Sequence, residues 1–585
     1  MTDRTKTIEF VTDTDITALS ASNTNRDKTI DIYIPEGNPT FVSCTLRCYV
    51  ASYLSGQELD NPVLGISDDG VTFDEVQLSD SPVDSGEQEY WMLERDVTSY
   101  FTSNFDGATP PTSVTWSVRF RNLDATTSNH AFKLFITYTY DDTATTQIKT
   151  VKVPIESTVA ELSAAYQTIG GATSIPALEG SYLPETSKTV RQIWLELFAN
   201  GGLSSAHNVE VRVDATTETV VWDTIAISGN DSWMYAQLDI TAEDMSTAIS
   251  LEARSSTADA QGNLGGFVCV TYEFNASTST SVMNSVMLPI GESGQNGPSA
   301  TDKMREQVVL NVQEPTTLTL NESALVMFSH PDITVNVGTQ TPVAYADSDV
   351  NAVGPEVSFV HRFDSGATNG AYGGTFARGE NVFDVEWYST GGFETDPNTY
   401  GYLMVNYTSG KATDGVGAHN RSIRYHIKDS GTSEAFFTDA VGFADTQYYI
   451  QAVMPELWVQ LDTSANVDLY SLIVERLSGE GYDKLEVYDM PYKQQIFENS
   501  TVPLYRDITG NFMRFPEDPI PDQLDITASR KYAVHAQTGT SGDKYSSLGL
   551  WVTFHDIHHD WDIEVTNYTG DGSSIDYYIT RTTDD

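Results

Sequence analysis

The chain has 585 residues, and its 82 Asp and Glu against 32 Lys and Arg leave a formal charge of −50 and a pI near 4.2. That charge repels phosphate backbones and anionic lipid, which argues against nucleic-acid and membrane-surface binding, and no stretch approaches the ~20 apolar residues of a membrane span. A hydrophobic fraction of 39 %, with 30 Tyr, 24 Phe and 9 Trp, excludes a disordered acidic tail and leaves a large multidomain protein.

From the N-terminus, Met1–Phe10 already carries Asp3 and Glu9 and leads into no apolar core, so no secretory leader is expected. Phe41–Val50 alternates so that Val42, Cys44, Leu46, Cys48 and Val50 share one strand face. Four strand residues span about 13 Å, beyond the ~7 Å reach of a disulfide, so Cys44 and Cys48 read as buried small apolar residues. Asp69-Gly70 between Val63–Ile66 and Val71–Leu78 is a hairpin signature. Asp68 and Asp69 could also donate oxygens to Ca²⁺, although the turn accounts for them as they stand. In His130–Tyr140 the residues Phe132, Leu134, Ile136, Tyr138 and Tyr140 alternate with Lys133, Thr137 and Thr139, the pattern of an antiparallel strand with one buried and one wet face. Thr158–Tyr166 reads as one short connecting helix.

Segments then recur in order. Tyr33-Ile34-Pro35-Glu36 returns as Tyr182-Leu183-Pro184-Glu185. Trp91-Met92 with Asp96-Val97-Thr98 returns as Trp233-Met234 with Asp239-Ile240-Thr241. Ile136-Thr137-Tyr138 returns as Val270-Thr271-Tyr272 and as Val405-Asn406-Tyr407. The strand ending Val153-Pro154-Ile155-Glu156-Ser157 returns as Leu288-Pro289-Ile290-Gly291-Glu292-Ser293, and more faintly as Tyr425-His426-Ile427-Lys428-Asp429-Ser430. The offsets of 134 and 135 residues between Tyr138, Tyr272 and Tyr407, and of 135 and 137 between Ile155, Ile290 and Ile427, mark a duplicated β-domain rather than a solenoid unit. The expected fold is therefore all-β: tandem antiparallel β-sandwich domains of jelly-roll kind, internally repeated with a period near 135 residues. The domains expected are 1–157, 158–293, a divergent 294–430 and a C-terminal β domain, 431–585, with Gly291–Asp302 as the best linker. In the last domain either Leu550–Phe554 or Ile563–Tyr568 supplies the closing strand.

Chemistry is sparse. The chain has no Gly-rich phosphate loop, GxSxG elbow or HExxH, and acids this abundant carry no pairing information. No catalytic residue is assigned, and a non-enzymatic protein is expected. The densest polar cluster is His555, His558, His559, Asp560 and Asp562 around Trp561. His558 and Asp560 share a strand face, which makes His555, His558 and Asp560 candidate metal ligands beside the plainer reading of an exposed polar strand. A cofactor, if any, is a divalent cation, Ca²⁺ or Mg²⁺, there or at Asp68 and Asp69. Trp91 and Trp233 occupy equivalent positions and suit core packing better than a sugar platform, since aromatics bury the most apolar area. Seven Asn-x-Ser/Thr sequons are close to what so Ser/Thr-rich a chain carries by chance.

The acids are scattered singly or in pairs, and lysine is scarce, 13 against 19 Arg. Dispersed carboxylates on a Lys-poor surface suit concentrated salt, which screens their repulsion within about 3 Å at 1 M. In its acidic surface, leaderless start and tandem sandwiches the whole chain resembles virion structural proteins of tailed viruses of halophilic archaea. The resemblance implies a capsid turret, decoration or tail-fibre subunit at the virion surface, assembled in the host cytoplasm. It implies a trimer or pentamer seated on capsid, portal or tail subunits, with a host surface glycan or glycoprotein as target. The alternative class is a secreted carbohydrate-binding or surface-layer protein of a halophile, for which a leader is the expected mark. An enzyme with accessory β-domains would need a catalytic segment, and the repeats leave none over.

Overall fold

The computed structural model describes residues 3–15, 24–52, 62–77, 89–105, 113–122, 128–141, 143–162, 164–170, 174–201, 208–214, 218–223, 232–255 and 260–293, then 318, 376–377 and the strands named below; side chains are described between residues 5 and 410, with gaps. The first eight strands are β1 (Asp3–Val11), β2 (Arg26–Ile32), β3 (Thr40–Ser52), β4 (Val63–Ser67), β5 (Asp74–Gln77), β6 (Glu89–Asp96), β7 (Val114–Arg121) and β8 (Ser128–Asp141). They form two four-stranded antiparallel sheets, β1-β8-β3-β6 and β2-β7-β4-β5. This pairing of first-eighth-third-sixth with second-seventh-fourth-fifth is a jelly roll.

The same order recurs three times. The second roll comprises β9 (Thr146–Leu162), β10 (Gln167–Ile169), β11 (Thr189–Gly201), β12 (Asn208–Val213), β13 (Glu218–Asp223), β14 (Ser232–Asp239), β15 (Leu251–Ser255) and β16 (Ala260–Asn275). The third comprises β17 (Ser281–Ser293), β18 (Met304–Val312), β19 (Thr319–Ser329), β20 (Ile333–Val337), β21 (Val343–Tyr345), β22 (Val357–Asp364), β23 (Gly379–Ser389) and β24 (Asn398–Gly410). The fourth comprises β25 (His419–Asp429), β26 (Glu456–Leu461), β27 (Val467–Leu477), β28 (Tyr482–Met490), β29 (Gln494–Asn499), β30 (Asn511–Phe515), β31 (Arg530–Thr538) and β32 (Ser547–Asp556). Two further strands, β33 (Asp562–Tyr568) and β34 (Asp576–Thr582), extend its second sheet, β34 pairing parallel with β26. Leu550–Phe554 therefore lies in the closing eighth strand, and Ile563–Tyr568 in the added edge. The chain divides into two compact units, residues 1–12, 17–148 and 421–585 in one and 13–16 with 149–420 in the other.

In the first roll, Ile8, Leu46, Cys48, Ile136 and Tyr138 from one sheet meet Ile30, Ile66, Trp116 and Phe120 from the other. The three cysteines are buried thiols with no disulfide between them. Both faces of β8 are buried, however, since Lys133 is 2 % and Thr137 0 % exposed where a wet face was expected. The polar face is buried because its charges pair: Lys133 Nζ lies 3.2 Å from Glu9 Oε2, and Arg47 Nε donates to Glu94 Oε1 at 2.7 Å.

A one-residue irregularity in the third strand, against the eighth, marks every roll: between Phe41 and Ser43, Val190 and Gln192, Leu320 and Glu322, and Leu469 and Ser471. An extra residue inverts side-chain parity. It puts Phe41 in the core and leaves Val42 half-buried, outside the face shared by Cys44, Leu46, Cys48 and Val50. The expected helix over Thr158–Tyr166 is corrected too, because Thr158–Leu162 continues β9; among the described residues the α-helix is α1 (Thr98–Phe105). The strands ending at Ser157 and Ser293, which close a repeat in the sequence reading, are instead the first strands β9 and β17 of the following sheets.

Candidate functional site

The recurrent residues converge on a buried latch. Pro35 and Pro184 bring Glu36 and Glu185 to the approach to β3 and β11, where both carboxylates are essentially inaccessible. In the first roll, Lys6 on β1 pairs with Glu36 Oε1 and donates to the Ile148 carbonyl at 2.6 Å. Tyr138 donates its hydroxyl to Glu36 Oε2 at 2.9 Å, and the Ile148 amide donates to Glu36 Oε1 at 2.8 Å. In the second roll, Lys149 on β9 pairs with Glu185 Oε1 and donates to the Met283 carbonyl at 3.0 Å. Tyr272 donates to Glu185 Oε2 at 2.6 Å, and the Met283 amide to Glu185 Oε1 at 2.9 Å. Even the flanking threonines repeat, Thr7 with Thr137 at 2.7 Å and Thr150 with Thr271 at 2.8 Å.

Each latch grips the backbone of a residue near the start of the next first strand. Met283 is the third residue of β17, so Glu185 and Lys149 tie the third roll to the second. The ammonium groups also lie over aromatic rings, Lys6 at 4.0 Å from the Tyr140 centroid and Lys149 at 5.1 Å from that of Phe274. Burial, followed by the Glu36 charge and hydrogen bond, pushes the Tyr138 hydroxyl well above its ordinary value; burial and Glu185 do the same to Tyr272. Burial pushes the Lys149 ammonium down, against the pull of Glu185. A charge sunk this far is tolerated because every partner atom is a donor or acceptor of matching sign. In the third roll Asn284 takes the lysine position opposite Tyr407 and donates to Ser409 Oγ at 2.9 Å.

The Asp-Val/Ile-Thr element has a local role. Cys44 N donates to Thr98 Oγ1 at 2.8 Å and Ile193 N to Thr241 Oγ1 at 3.0 Å, while Val97 and Ile240 fill the core. It closes the sixth strand onto the third.

Of the candidate metal ligands, Asp69 caps its turn. Its Oδ1 accepts from Val71 N and Thr72 N, each at 2.7 Å, and from Ser67 Oγ at 2.9 Å. These bonds hold its carboxyl down at about 2, and they delay β5 to Asp74 rather than the expected Val71. Asp68 adjoins it, and Gly70 takes φ +69°, a left-handed turn conformation. His555 lies in β32 opposite Asp468 of β27, with its side chain outside the described residues, as are His558 and Asp560 altogether. Among the described residues no three His, Cys, Asp or Glu gather as a metal centre. Trp91 and Trp233 sit in β6 and β14, their side chains outside those described. Asn406 is wholly buried and donates from Nδ2 to the Lys152 carbonyl at 2.8 Å, while Asn321 Nδ2 donates to the Ser181 carbonyl and Thr408 Oγ1, both at 2.7 Å. The repeated motifs pointed to Glu36, Glu185, Tyr138 and Tyr272; Lys6 and Lys149 went unmarked, although in so Lys-poor a chain the repeated Lys-Thr pair was a usable signal.

No protein-family model matches the chain, and no curated protein matches it. Among solved structures the chain is similar to PNGase F of Flavobacterium meningosepticum, at 10 % identity over 46 % of this chain and 96 % of that one, TM-score 0.15. It is similar to the major capsid protein P2 of bacteriophage PM2, at 10 % identity over 46 % of this chain and 97 % of that one, TM-score 0.14. A chain of Sulfolobus turreted icosahedral virus is similar at 12 % identity over 71 % of this chain and 92 % of that one, TM-score 0.12. Scores this low assign no relative, and the jelly-roll architecture rests on the strand order itself.

Proposed function

We propose that the chain is a non-enzymatic virion structural protein, a capsid turret, decoration or tail-fibre subunit that works in concentrated salt. The observation that carries this reading is the fourfold recurrence of one jelly-roll order in a single chain. Its described buried charges are used to tie strand to strand, Glu185 and Lys149 to β17 and Arg47 to Glu94. Such a plan suits a subunit that occupies space and presents loops. On this reading the rolls are four domains, with limits at the starts of β9, β17 and β25 rather than after residues 157, 293 and 430. Its partners are further copies in a trimer or pentamer, capsid, portal or tail subunits, and a host surface glycan or glycoprotein. The −50 charge, evenly scattered, favours salt-rich surroundings.

The test is mass spectrometry of gradient-purified particles beside the cell-envelope fraction of the same culture. The reading predicts the chain at stoichiometric level in the particles. Recovery from the envelope alone contradicts it and favours a surface-layer role.

A further inference from the structure

Outside the latches, the second roll carries another ordered group of charges. Its strands β12 and β15 run antiparallel, with Glu210 opposite Arg254 and Arg212 opposite Glu252. These four alternate with the buried Val211, Val213, Leu251 and Ala253, so they stand on the outer face of the sheet β10-β15-β12-β13. They form a square of about 5 Å by 7 Å in which each charge has the opposite sign at both neighbouring corners. Arg212 Nε donates to Glu252 Oε2 at 2.6 Å and Arg254 Nε to Glu210 Oε2 at 2.5 Å, while the side chains keep 22 to 40 % exposure. Tyr166 reaches into the square, where its hydroxyl donates to Glu210 Oε2 at 2.9 Å. Both guanidinium carbons lie over its ring, Arg212 at 3.8 Å and Arg254 at 4.5 Å from the centroid. Long side chains held in this way lose little further freedom on contact with a partner, and Arg and Tyr are prominent in the contacts that carry binding between proteins.

The charges of the square cancel, whereas the chain as a whole stands at −50. Two copies of so acidic a chain repel one another except where the local charge is balanced. Among the described residues neither the first nor the third roll repeats the square. In the first, Gly65 stands opposite Arg119, whose bonds go to Asp27 and Glu75. In the third, Asn336 stands opposite Glu386 and Thr334 opposite Tyr388.

A checkerboard of charge is complementary to itself. Turned over about a two-fold axis parallel to the strands, Glu210 of one copy lies on Arg254 of the other, and Arg212 on Glu252. Such an axis makes the contact isologous, the commonest closed arrangement between copies of one chain. A sugar platform needs an open ring, and Tyr166 is already engaged by two cations. The occupant that the square fits is a second copy.

We propose that this face of the second roll is a two-fold contact between copies of the chain, with Glu210, Arg212, Glu252 and Arg254 at its centre. Resting on the subunit role proposed above, it adds a lateral contact to those that close a trimer or pentamer. In molar salt the long-range repulsion of the −50 charge is screened within about 3 Å, while charges in direct contact still attract.

Light scattering of the full chain after gel filtration in molar NaCl tests this. Two double variants are compared with the parent. Arg212→Glu/Arg254→Glu makes every corner acidic, and Glu210→Arg/Glu252→Arg makes every corner basic. The parent should show at least about twice the mass of either variant, whose own association should be at least about tenfold weaker. Mixing the two variants should restore the parental mass, because acidic corners then meet basic ones. Glu210→Gln/Arg254→Gln serves should a charge-reversed variant lose its circular dichroism, and it should show the same fall in mass. Equal masses for the parent and the folded variants overturn the proposal, as does a mixture that stays at the mass of its components. Association that is lost with the square, in a chain missing from particles, would overturn the subunit role and leave the contact standing.

Discussion

Tyr138 donates its hydroxyl hydrogen to Glu36 across 2.9 Å from 102 residues away, and Tyr272 repeats the bond to Glu185 at 2.6 Å. In both, one carboxylate is shared among a phenol, a lysine and the backbone of an incoming strand. Such a group cannot be neutralised by mutation without leaving the ammonium buried and uncompensated.

Glu36→Gln or Glu185→Gln should therefore lower unfolding stability by about 3–5 kcal/mol, and Tyr138→Phe or Tyr272→Phe by about 1.5–3 kcal/mol. The double variant Lys149→Met/Glu185→Leu should recover most of the loss, since an apolar pair removes the stranded charge. Denaturant melts in molar salt measure this. A Glu185→Gln loss under about 1 kcal/mol would mean the latch is not a buried pair in solution.

Alkaline pH should act through the same tyrosines. Tyr138 and Tyr272 are held above the ordinary 10.0, by burial first and then by Glu36 or Glu185. A raised folded value stabilises fully below the unfolded one, and that contribution falls away as pH rises beyond it. Stability should decline above pH 10.0 as the unfolded tyrosines ionise and the folded pair does not. In an ultraviolet titration these two should ionise only on unfolding, and the Tyr138→Phe/Tyr272→Phe variant should lose that late fraction. A late fraction unchanged by the substitutions would count against the assignment.

Asn406 and Asn321 should stay bare. Their amide nitrogens donate to Lys152, Ser181 and Thr408, and Asn406 is wholly buried, so a glycan cannot be added to the folded chain there. Glycopeptide mass spectrometry after expression in a glycosylating host checks this, and a glycan on Asn406 would contradict the packing of β24.

How much of this was legible in the sequence depends on range. The alternation of Phe132, Leu134, Ile136, Tyr138 and Tyr140 marks β8 as a strand because neighbouring residues state a period. The burial of its other face was not legible, since a lysine paired with Glu9 on another strand reads like a lysine in water. Parity at Val42 failed for a related reason: the irregular register between β3 and β8 is a property of the pair. Glu36 and Tyr138 were visible as members of repeated motifs, but their contact spans most of a roll. At Asp69 the reverse held, because two amides and a hydroxyl two or three residues away were enough to make the turn.

Lowering NaCl from molar to ~0.1 M should lower the melting temperature and expand the chain, because the carboxylates that give −50 lose their screening. Paired groups such as Arg47 and Glu94, being buried, should respond least. A melting temperature independent of salt would remove the concentrated-salt part of the account.

Cryo-electron microscopy of intact particles tests the central claim most directly. The account predicts a projecting feature in which each subunit's density accommodates four successive jelly rolls. Particles whose surface features are fully explained by other chains, with no density for these rolls, would contradict it.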